Sequence, residues 1–370
     1  MQSSSLRLWL LKKVLSLPVA VLRSLAGGGV VYVNGRTLDA QIQFLWRTWF
    51  NTTPGRTPLS LRDKSLEAAR QEWQDTAAFL GAPSSLKVKY EAIGDGATSP
   101  VASSAPMSGL LIRPARIAPD APLLVFFHQG GGVLGGSGLS RAFGAVFAHE
   151  ARCPVLIPDY RLAPANRFPA ALEDAHIALE WAKAHASRLG SASGEVAVGG
   201  VLTGANLAAR LCLDLKRDFK PMPVAQLLVT PLLDFADPGI KANANMGLWP
   251  ITAGDLDIMI SHYAGAGTDL TDPRISPAHE SLIIGQPRSF VVSAGLDPLA
   301  DQAEAFVHRL ISARTRTVYR RYDNLPLGFD LFAGVAHEAR AAVMDMAQNW
   351  VELLRSGRAE PEPDLVQDVA

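Results

Sequence analysis

The sequence predicts an α/β protein built on a mostly parallel, doubly wound sheet of eight strands. Short apolar runs alternate with longer helical segments through the middle of the chain, and such runs are typical of buried parallel strands. Strands separated by helices favour right-handed crossovers within one sheet. The chain has 370 residues, 48% of them hydrophobic and 19% charged, which suffices for one large domain with an appendage.

Each predicted element rests on one of these runs. The predicted parallel strands are residues 122–127, 154–158, 195–198, 225–230, 289–294 and 317–322. The last of them is the most polar, as expected of an edge strand. The predicted helices between and after them are residues 142–151, 169–186, 205–216, 299–313 and 338–354. Two upstream runs, residues 87–93 and 109–113, are predicted to be antiparallel strands at the sheet edge.

Two parts of the chain interrupt this alternation, and we predict that they form a helical lid. They are residues 1–85 and an insertion at residues 236–275. Both are expected to cover the carboxyl ends of the strands, where open α/β sheets hold their ligands. The predicted core is then residues 86–235 together with residues 276–355, and residues 356–370 are predicted to be a disordered tail. The lid carries clustered aromatic residues, namely Phe44, Trp46, Trp49, Phe50, Trp249 and Tyr263.

Charge and cysteine content exclude several classes of function. Lys plus Arg and Asp plus Glu each number 35, so the formal charge is zero and a nucleic-acid partner is not expected. Two cysteines, Cys153 and Cys212, are too few for a disulfide framework or a thiolate metal cluster. We predict buried thiols in a reducing, cytoplasmic compartment. The eight histidines show no metal-ligand spacing with a nearby acid, so no metal and no cofactor are expected.

The N-terminus is both apolar and basic. Residues 6–33 carry Arg7, Lys12, Lys13 and Arg23, and no acid precedes Asp39. The uncharged run at residues 14–22 has nine residues, too short to span a bilayer. Three interpretations stay open: a helix packed on the domain, an anchor making weak contact with a membrane surface, and a signal sequence.

A glycine-rich loop follows the first predicted parallel strand. It consists of His128, Gln129, Gly130, Gly131 and Gly132. Glycines allow backbone N–H groups to approach a ligand closely, which suits an oxyanion hole. A flexible turn without function is the alternative.

Three further positions lie where the members of a catalytic triad would be expected, but only one of them has a suitable side chain. Residues 200–204 lie between a predicted strand and a predicted helix, which is the layout of a nucleophile elbow. Their central residue, Leu202, cannot attack a carbonyl. Asp297 follows a strand, where the orienting acid of a triad would lie. Leu327 lies just beyond the last strand, where a base would be expected.

Together these motifs resemble the hormone-sensitive-lipase-like branch of the α/β-hydrolase fold, the bacterial carboxylesterases, over about residues 85–355. The D-Y-R-L-A-P stretch of that family is unchanged at residues 159–164, and its D-P-L is residues 297–299. Its H-G-G-G loop, G-D-S-A-G elbow and H-G-F motif are present with substitutions. The residues that depart from them are Gln129 for a Gly, Val201 for the Asp, Leu202 for the nucleophilic Ser and Leu327 for the catalytic His.

The resemblance implies a role for each site residue. Asp297 would be the retained acid, and the N–H groups of Gly130, Gly131 and Thr203 would form the oxyanion hole. Losing the nucleophile or the base of such a triad lowers kcat by a factor on the order of 10⁶. We therefore predict a carboxylesterase- or lipase-like scaffold without hydrolytic activity. An Asp297 without an imidazole partner is predicted to have a perturbed pKa.

The ligand and two alternatives follow from the same substitutions. We predict an apolar pocket for a small apolar or ester-like ligand, with His128, Gln129 and Val201 beside Leu202 and Leu327. One alternative is a carboxylic-ester hydrolase for short to medium acyl esters whose catalytic residues have been replaced. Another is an enzyme that uses Asp297 as a general base. Whether the chain forms a homodimer stays open.

Overall fold

An eight-stranded sheet organises the chain in the computed structural model, which describes residues 2–49, 61, 64–83, 85–94, 107–243 and 252–356. A small hairpin, β1 (Tyr32–Val33) and β2 (Arg36–Thr37), precedes it. The strands of the main sheet are β3 (Val88–Ile93), β4 (Gly109–Pro114), β5 (Leu123–Phe127), β6 (Val155–Pro158), β7 (Val196–Val201), β8 (Ala225–Val229), β9 (Arg288–Leu296) and β10 (Thr317–Pro326).

The strand order confirms the predicted fold class. It runs β10-β9-β8-β7-β5-β6-β4-β3, and the strands from β5 to β10 are all parallel to one another. β4 is antiparallel to both β3 and β6, so the two upstream runs do form the antiparallel side of the sheet. β10 is the other edge, as its polar composition predicts.

Helices cover both faces of this sheet. They are α1 (Gln2–Leu15), α2 (Val19–Leu25), α3 (Ala40–Phe44), α4 (Leu66–Leu80), α5 (Arg141–Ala151), α6 (Ala170–Leu189), α7 (Thr203–Arg217), α8 (Gly239–Ala242), α9 (Ala253–Ala264), α10 (Ala300–Ser312) and α11 (His337–Arg355). The five helices predicted in the core correspond to α5, α6, α7, α10 and α11. α6 ends three residues later than predicted, since Gly190 provides the left-handed cap at φ 101°.

The core lies between the sheet and these two helical layers. β5, β7 and β8 are buried along their whole lengths, because helices pack on both faces. A row of rings joins the sheet to the outer helices: Phe126 stacks on Phe143 at 4.4 Å, Phe143 on Phe147 at 5.4 Å, and Trp350 of α11 meets Phe147 edge-on at 6.2 Å. Such aromatic pairs add to the stability that burial alone provides.

The N-terminal helices pack on this body. Leu11 and Leu15 of α1 and Leu22 of α2 are buried, and the Gln41 side chain donates a hydrogen bond to the Leu15 carbonyl at 2.7 Å. These contacts agree with the interpretation of the N-terminus as a helix packed on the domain. Within the described ranges, no helix is long and apolar enough to cross a membrane.

Several predictions concern residues that fall outside the described part of the chain. These are Phe50, Trp249 and residues 357–370 of the predicted tail. The two cysteines are free and buried, as predicted. Burial raises the pKa of the Cys153 thiol to about 12 and that of Cys212 further, so both remain thiols near neutral pH.

Candidate active site

The turn between β7 and α7 has the geometry of a nucleophile elbow, with Leu202 at its apex. Leu202 adopts φ 56° and ψ −116°, a conformation that side chains rarely take. The flanking glycines allow it. A Cβ on Gly200 would lie 2.2 Å from the Gly204 carbonyl carbon, and one on Gly204 would lie 2.0 Å from the Phe127 oxygen. The sequence thus folds locally into a strained turn packed directly on the end of β5.

Hydrogen bonds hold this apex in place. The Leu202 N–H donates to the Val229 carbonyl at 3.1 Å, and its own carbonyl accepts from the N–H of Asn206 and Leu232 at 3.1 and 3.3 Å. The Asn206 side chain then donates to the Leu232 and Ile275 carbonyls, both at 2.9 Å. Leu232 precedes the insertion and Ile275 is its last residue. Asn206 therefore connects both ends of the insertion to the elbow.

The glycine loop lies beside this turn, because Phe127 at the end of β5 pairs with Gly200 of β7. Gly130, Gly131 and Gly132 have φ values of 131°, 66° and 70°. A Cβ on Gly130 would lie 2.1 Å from the Leu134 oxygen, so this tight turn requires glycine. Gln129 has a negative φ, so its side chain does not strain the loop backbone.

The three backbone donors predicted for the oxyanion hole follow two paired strands, since Gly130 and Gly131 follow β5 and Thr203 follows β7. In the part of the chain that the structure describes, the N–H groups of Gly130, Gly131 and Thr203 donate no hydrogen bond. Thr203 is the first residue of α7, whose N-terminus carries the positive end of the helix dipole. These groups are therefore available to an oxygen that carries negative charge.

His128 holds the backbone of the glycine loop through buried contacts. Its side chain is fully buried and its ring stacks on Tyr160 at 4.1 Å. Nδ1 donates to the Gln129 carbonyl at 2.7 Å, and the Tyr160 hydroxyl donates to the His128 carbonyl at 2.9 Å. Burial lowers the pKa of His128, so the ring is neutral near pH 7. His128 and Val201 have no accessible surface, so they lie behind the wall of the predicted pocket and do not line it.

Asp297 and Leu327 meet at the carboxyl ends of β9 and β10. Pro326 pairs with Leu296, so the residue after each lies beside the other. Asp297 is buried. Its Oδ1 accepts from the Leu299 N–H at 2.8 Å, while Oδ2 has no partner within the described residues. Burial raises the pKa of this carboxyl to about 7, in agreement with the perturbed pKa expected from the sequence.

A second buried carboxyl, Asp330, was not predicted. It lies in the 3₁₀ turn Phe329–Phe332, and its Oδ2 accepts from Gln129 Nε2 at 3.3 Å. Its Oδ1 has no partner in the described chain, and burial raises its pKa to about 7. The contact joins the glycine loop to the turn that follows Leu327. The sequence did contain a signal for Asp330, since it is the only acid in the apolar stretch 325–336.

The insertion packs on the glycine loop through α9. A Cβ on Gly131 would lie 2.7 Å from Met259 Sδ, and one on Gly132 would lie 2.3 Å from the Tyr263 ring. Tyr263 also stacks on Phe235 at 5.6 Å and meets Phe168 edge-on at 6.1 Å. The sequence indicated Tyr263 as part of an aromatic cover but gave no signal for Met259.

The N-terminal segment is fastened to the same loop through α4. Arg70 donates to the carbonyls of Val133 at 2.9 Å and Ala163 at 2.6 Å. Leu61 donates its N–H to the buried carboxylate of Asp255 in α9 at 2.8 Å. The two parts predicted as a lid therefore contact the loop and each other.

No replacement dyad accompanies the elbow. Within the described ranges, no serine, threonine or cysteine side chain is hydrogen-bonded to a histidine. Nor does any group of histidines, cysteines and acids there have the arrangement of a metal site. A cavity of about 460 Å³ lies elsewhere, lined among others by Arg23, Asp39 and Glu338.

Comparison with known proteins agrees with this architecture. The family model for the α/β hydrolase fold matches residues 124–331. The chain belongs to the α/β-hydrolase fold family. Carboxylic ester hydrolase LipN of Mycobacterium tuberculosis is 32% identical over 325 residues, covering 85% of this chain and 82% of that protein.

Solved structures give the same result. An α/β hydrolase enzyme from the metagenome of Lake Arreo, Spain, has a TM-score of 0.73 and 26% identity, covering 82% of this chain and 93% of its own. An esterase of Pyrobaculum calidifontis has a TM-score of 0.69 and 27% identity, covering 79% and 94%. The chain is thus a carboxylesterase-like α/β hydrolase, and its esterase relatives agree with the hormone-sensitive-lipase-like branch that the motifs predict.

Proposed function

We propose that this protein is a carboxylesterase-like scaffold without hydrolytic activity, which binds a small apolar or ester-like ligand above the elbow. The observation that carries the proposal is Leu202 at the apex, with φ 56° and 8% exposure. An elbow presents the side chain of its apex residue to the carbonyl that would be attacked. An aliphatic side chain there has no lone pair to donate.

The surroundings of Leu327 support the same proposal. Leu327 is also 8% exposed, and Asp297 beside it keeps Oδ2 unpaired. An imidazole at position 327 would donate a hydrogen bond to that oxygen and stabilise the carboxylate. With leucine there, burial dominates and Asp297 is largely protonated below pH 7. We infer that the base position, like the nucleophile position, is substituted.

The remaining donors favour binding over turnover. The N–H groups of Gly130, Gly131 and Thr203 can hold a carbonyl oxygen, because they need no proton transfer to do so. Leu202 and Leu327 offer the aliphatic surface that an acyl chain prefers. We infer a ligand that combines a carbonyl group with an apolar chain.

We further propose that residues 1–85 and 236–275 act as the lid of this site over a core of residues 86–235 and 276–355. Met259 and Tyr263 support this assignment because they pack directly on Gly131 and Gly132. A ligand that reaches the glycine loop must then displace or pass α9.

The general-base alternative has one observation in its favour. A carboxyl whose pKa is near 7 and whose Oδ2 is unpaired is suited to remove a proton from an acidic substrate. Such an enzyme would lose activity in Asp297→Asn while remaining inert toward esters.

Ester hydrolysis by designed variants tests the proposal. The parent chain and the variant Leu202→Ser, Leu327→His, Val201→Asp, Gln129→Gly are assayed with p-nitrophenyl acetate and p-nitrophenyl hexanoate. We expect background rates from the parent and at least a 10³-fold gain in the variant. The matched control carries Leu202→Ala with the same three other changes, and should stay at background.

Turnover by the parent near the rate of ordinary esterases, about 10 s⁻¹, would contradict the proposal. Ligand binding is measured separately by thermal shift with saturated acyl methyl esters of increasing length. Stabilisation of the parent that is lost in Leu202→Asp supports a ligand site at the elbow. No shift with any ester would count against it.

A further inference from the structure

An apolar surface is concentrated at the N-terminus of the protein. Fourteen large hydrophobic residues are exposed in the described chain, and nine of them fall within residues 6–32. These nine are Leu6, Trp9, Leu10, Leu17, Val19, Val21, Leu25, Val30 and Tyr32. We call them, with the basic residues between them, the N-terminal surface. Exposed apolar residues scattered singly need no explanation, whereas this concentration in one segment does.

The exposed residues are distinct from those that hold the helices on the body. α1 is anchored by Leu11 and Leu15, which are 1% and 2% exposed, and α2 by Leu22, which is 1% exposed. Both helices therefore have an inner apolar face in the core and an outer apolar face in solvent. The outer face includes Trp9 at 55% and Leu10 at 48% exposure. A helix that is apolar on both sides normally has a second partner.

The charge of this segment points to the nature of that partner. Arg7, Lys12, Lys13 and Arg23 are its only ionisable side chains before Tyr32, and no acid precedes Asp39. Lys13 Nζ lies 5.7 Å above the Trp9 ring, so a cation and an interfacial aromatic side chain stand together. Lys12 is half-buried, and burial together with the nearby Arg340 lowers its pKa. A protein of zero net charge thus carries a locally basic, apolar face.

We propose that the N-terminal surface docks on an anionic lipid bilayer. Apolar and aromatic side chains flanked by lysine and arginine are the composition of helices that lie in the membrane interface. The 14 residues of α1 extend about 21 Å, too short to cross the hydrocarbon layer, so α1 lies along the surface. A second copy of the chain would face the same positive charges and would be repelled by them.

The N-terminal surface is connected to the glycine loop through α4. α1 contacts α4, and Arg70 of α4 donates one hydrogen bond to the carbonyl of Val133, which follows the loop, and one to the carbonyl of Ala163. A chain of contacts therefore links the proposed membrane-facing surface to the proposed ligand site. The docking itself does not depend on whether the chain hydrolyses esters.

Vesicle co-sedimentation of the full chain tests the proposal. Vesicles of phosphatidylcholine alone are compared with vesicles containing 30% phosphatidylglycerol, at 0.1 and 0.5 M NaCl. We expect binding to the anionic vesicles that weakens at high salt, because the Debye length falls well below about 10 Å. Arg7→Glu with Lys13→Glu should lower the partition coefficient at least about 25-fold, roughly fivefold for each positive charge removed. Trp9→Ser with Leu10→Ser should lower it at least tenfold.

Matched controls lie on other faces. Lys216→Glu with Lys220→Glu reverses two exposed charges, and Leu282→Ser with Ile284→Ser removes two exposed apolar side chains; both should bind as the parent does. Circular dichroism checks that each variant folds. Failure of the parent to bind anionic vesicles would overturn the proposal, as would equal loss in the controls. A dimer in light scattering that Trp9→Ser with Leu10→Ser dissociates would instead assign the surface to a second copy.

Discussion

Leu327 and Asp297 lie side by side, each one residue past a paired position, Pro326 and Leu296, in adjacent parallel strands. The Leu327 N–H donates to the Leu296 carbonyl at 3.4 Å, which fixes the two chain ends relative to each other. An aliphatic side chain thus occupies the place next to the unpaired Oδ2 of Asp297. Because leucine offers this oxygen no hydrogen bond, burial raises the pKa of Asp297 without compensation from a neighbour at position 327.

The first prediction concerns pH. Burial raises the pKa of Asp297 from 3.8 to about 7, so between these values the unfolded chain has released a proton that the folded chain keeps. The contribution of Asp297 to the unfolding free energy therefore falls as pH rises from about 4 to about 7, by up to about 1.4 kcal/mol per pH unit. Asp297→Asn should remove that slope contribution. Urea unfolding at pH 4, 5.5, 7 and 8 measures it.

The control for this experiment is the exposed Asp75→Asn, which should leave the slope of the parent unchanged. Asp330→Asn should act like Asp297→Asn, because burial also raises its pKa to about 7. A pH dependence in Asp297→Asn and in Asp330→Asn that equals that of the parent would show that neither carboxyl has a raised pKa in the folded protein.

The second prediction concerns the backbone of the elbow. In most positions Ala is more stable than Gly, because Gly loses more chain entropy on folding. At φ 56° the preference reverses, so Leu202→Gly should be more stable than Leu202→Ala by about 1 kcal/mol. Leu213, in the middle of α7 and 3% exposed, provides the control. At position 213 the Ala variant should be more stable than the Gly variant by about 1 kcal/mol. The same order of stability at positions 202 and 213 would rule out a strained apex.

Most of the sheet was predictable from the sequence, because a buried parallel strand is a short apolar run and these runs alternate with helical segments. The start of α7 was less so. It begins at Thr203, two residues before the predicted position, since a single strained residue completes the turn from β7. The three positions predicted for a triad each directly follow a strand, as the sequence indicated.

The partners within the site were not predictable in the same way. Gln129 and Asp330 are 201 residues apart, and their contact arises only when the glycine loop and the turn after β10 are folded against each other. Met259 is one apolar residue among several on α9. Which loop it packs on depends on how the insertion returns to the core, and local periodicity carries no information on that.

The third prediction concerns the contact between α9 and the glycine loop. Gly132→Ala places a methyl group 2.3 Å from the Tyr263 ring in a residue at φ 70°, so both the packing and the backbone oppose it. We expect a loss of about 2–4 kcal/mol and faster proteolysis within residues 252–264, as α9 is displaced. Gly138→Ala, where no heavy atom lies within 4 Å of the added methyl, should change neither. Equal behaviour of the two variants would show that α9 does not pack on the loop.

The fourth prediction concerns the attachment of the N-terminal segment. Arg70 satisfies the carbonyls of Val133 and Ala163, so Arg70→Ala leaves two partly buried acceptors without this donor. We expect a loss of about 1–3 kcal/mol and faster hydrogen exchange over residues 130–135, with β7 unaffected. Arg36→Ala removes an exposed ion pair with Asp323 and should cost less than about 1 kcal/mol. Unchanged exchange in the loop of Arg70→Ala would mean that α4 does not hold it, and that the N-terminal segment is fastened to the core by its apolar contacts alone.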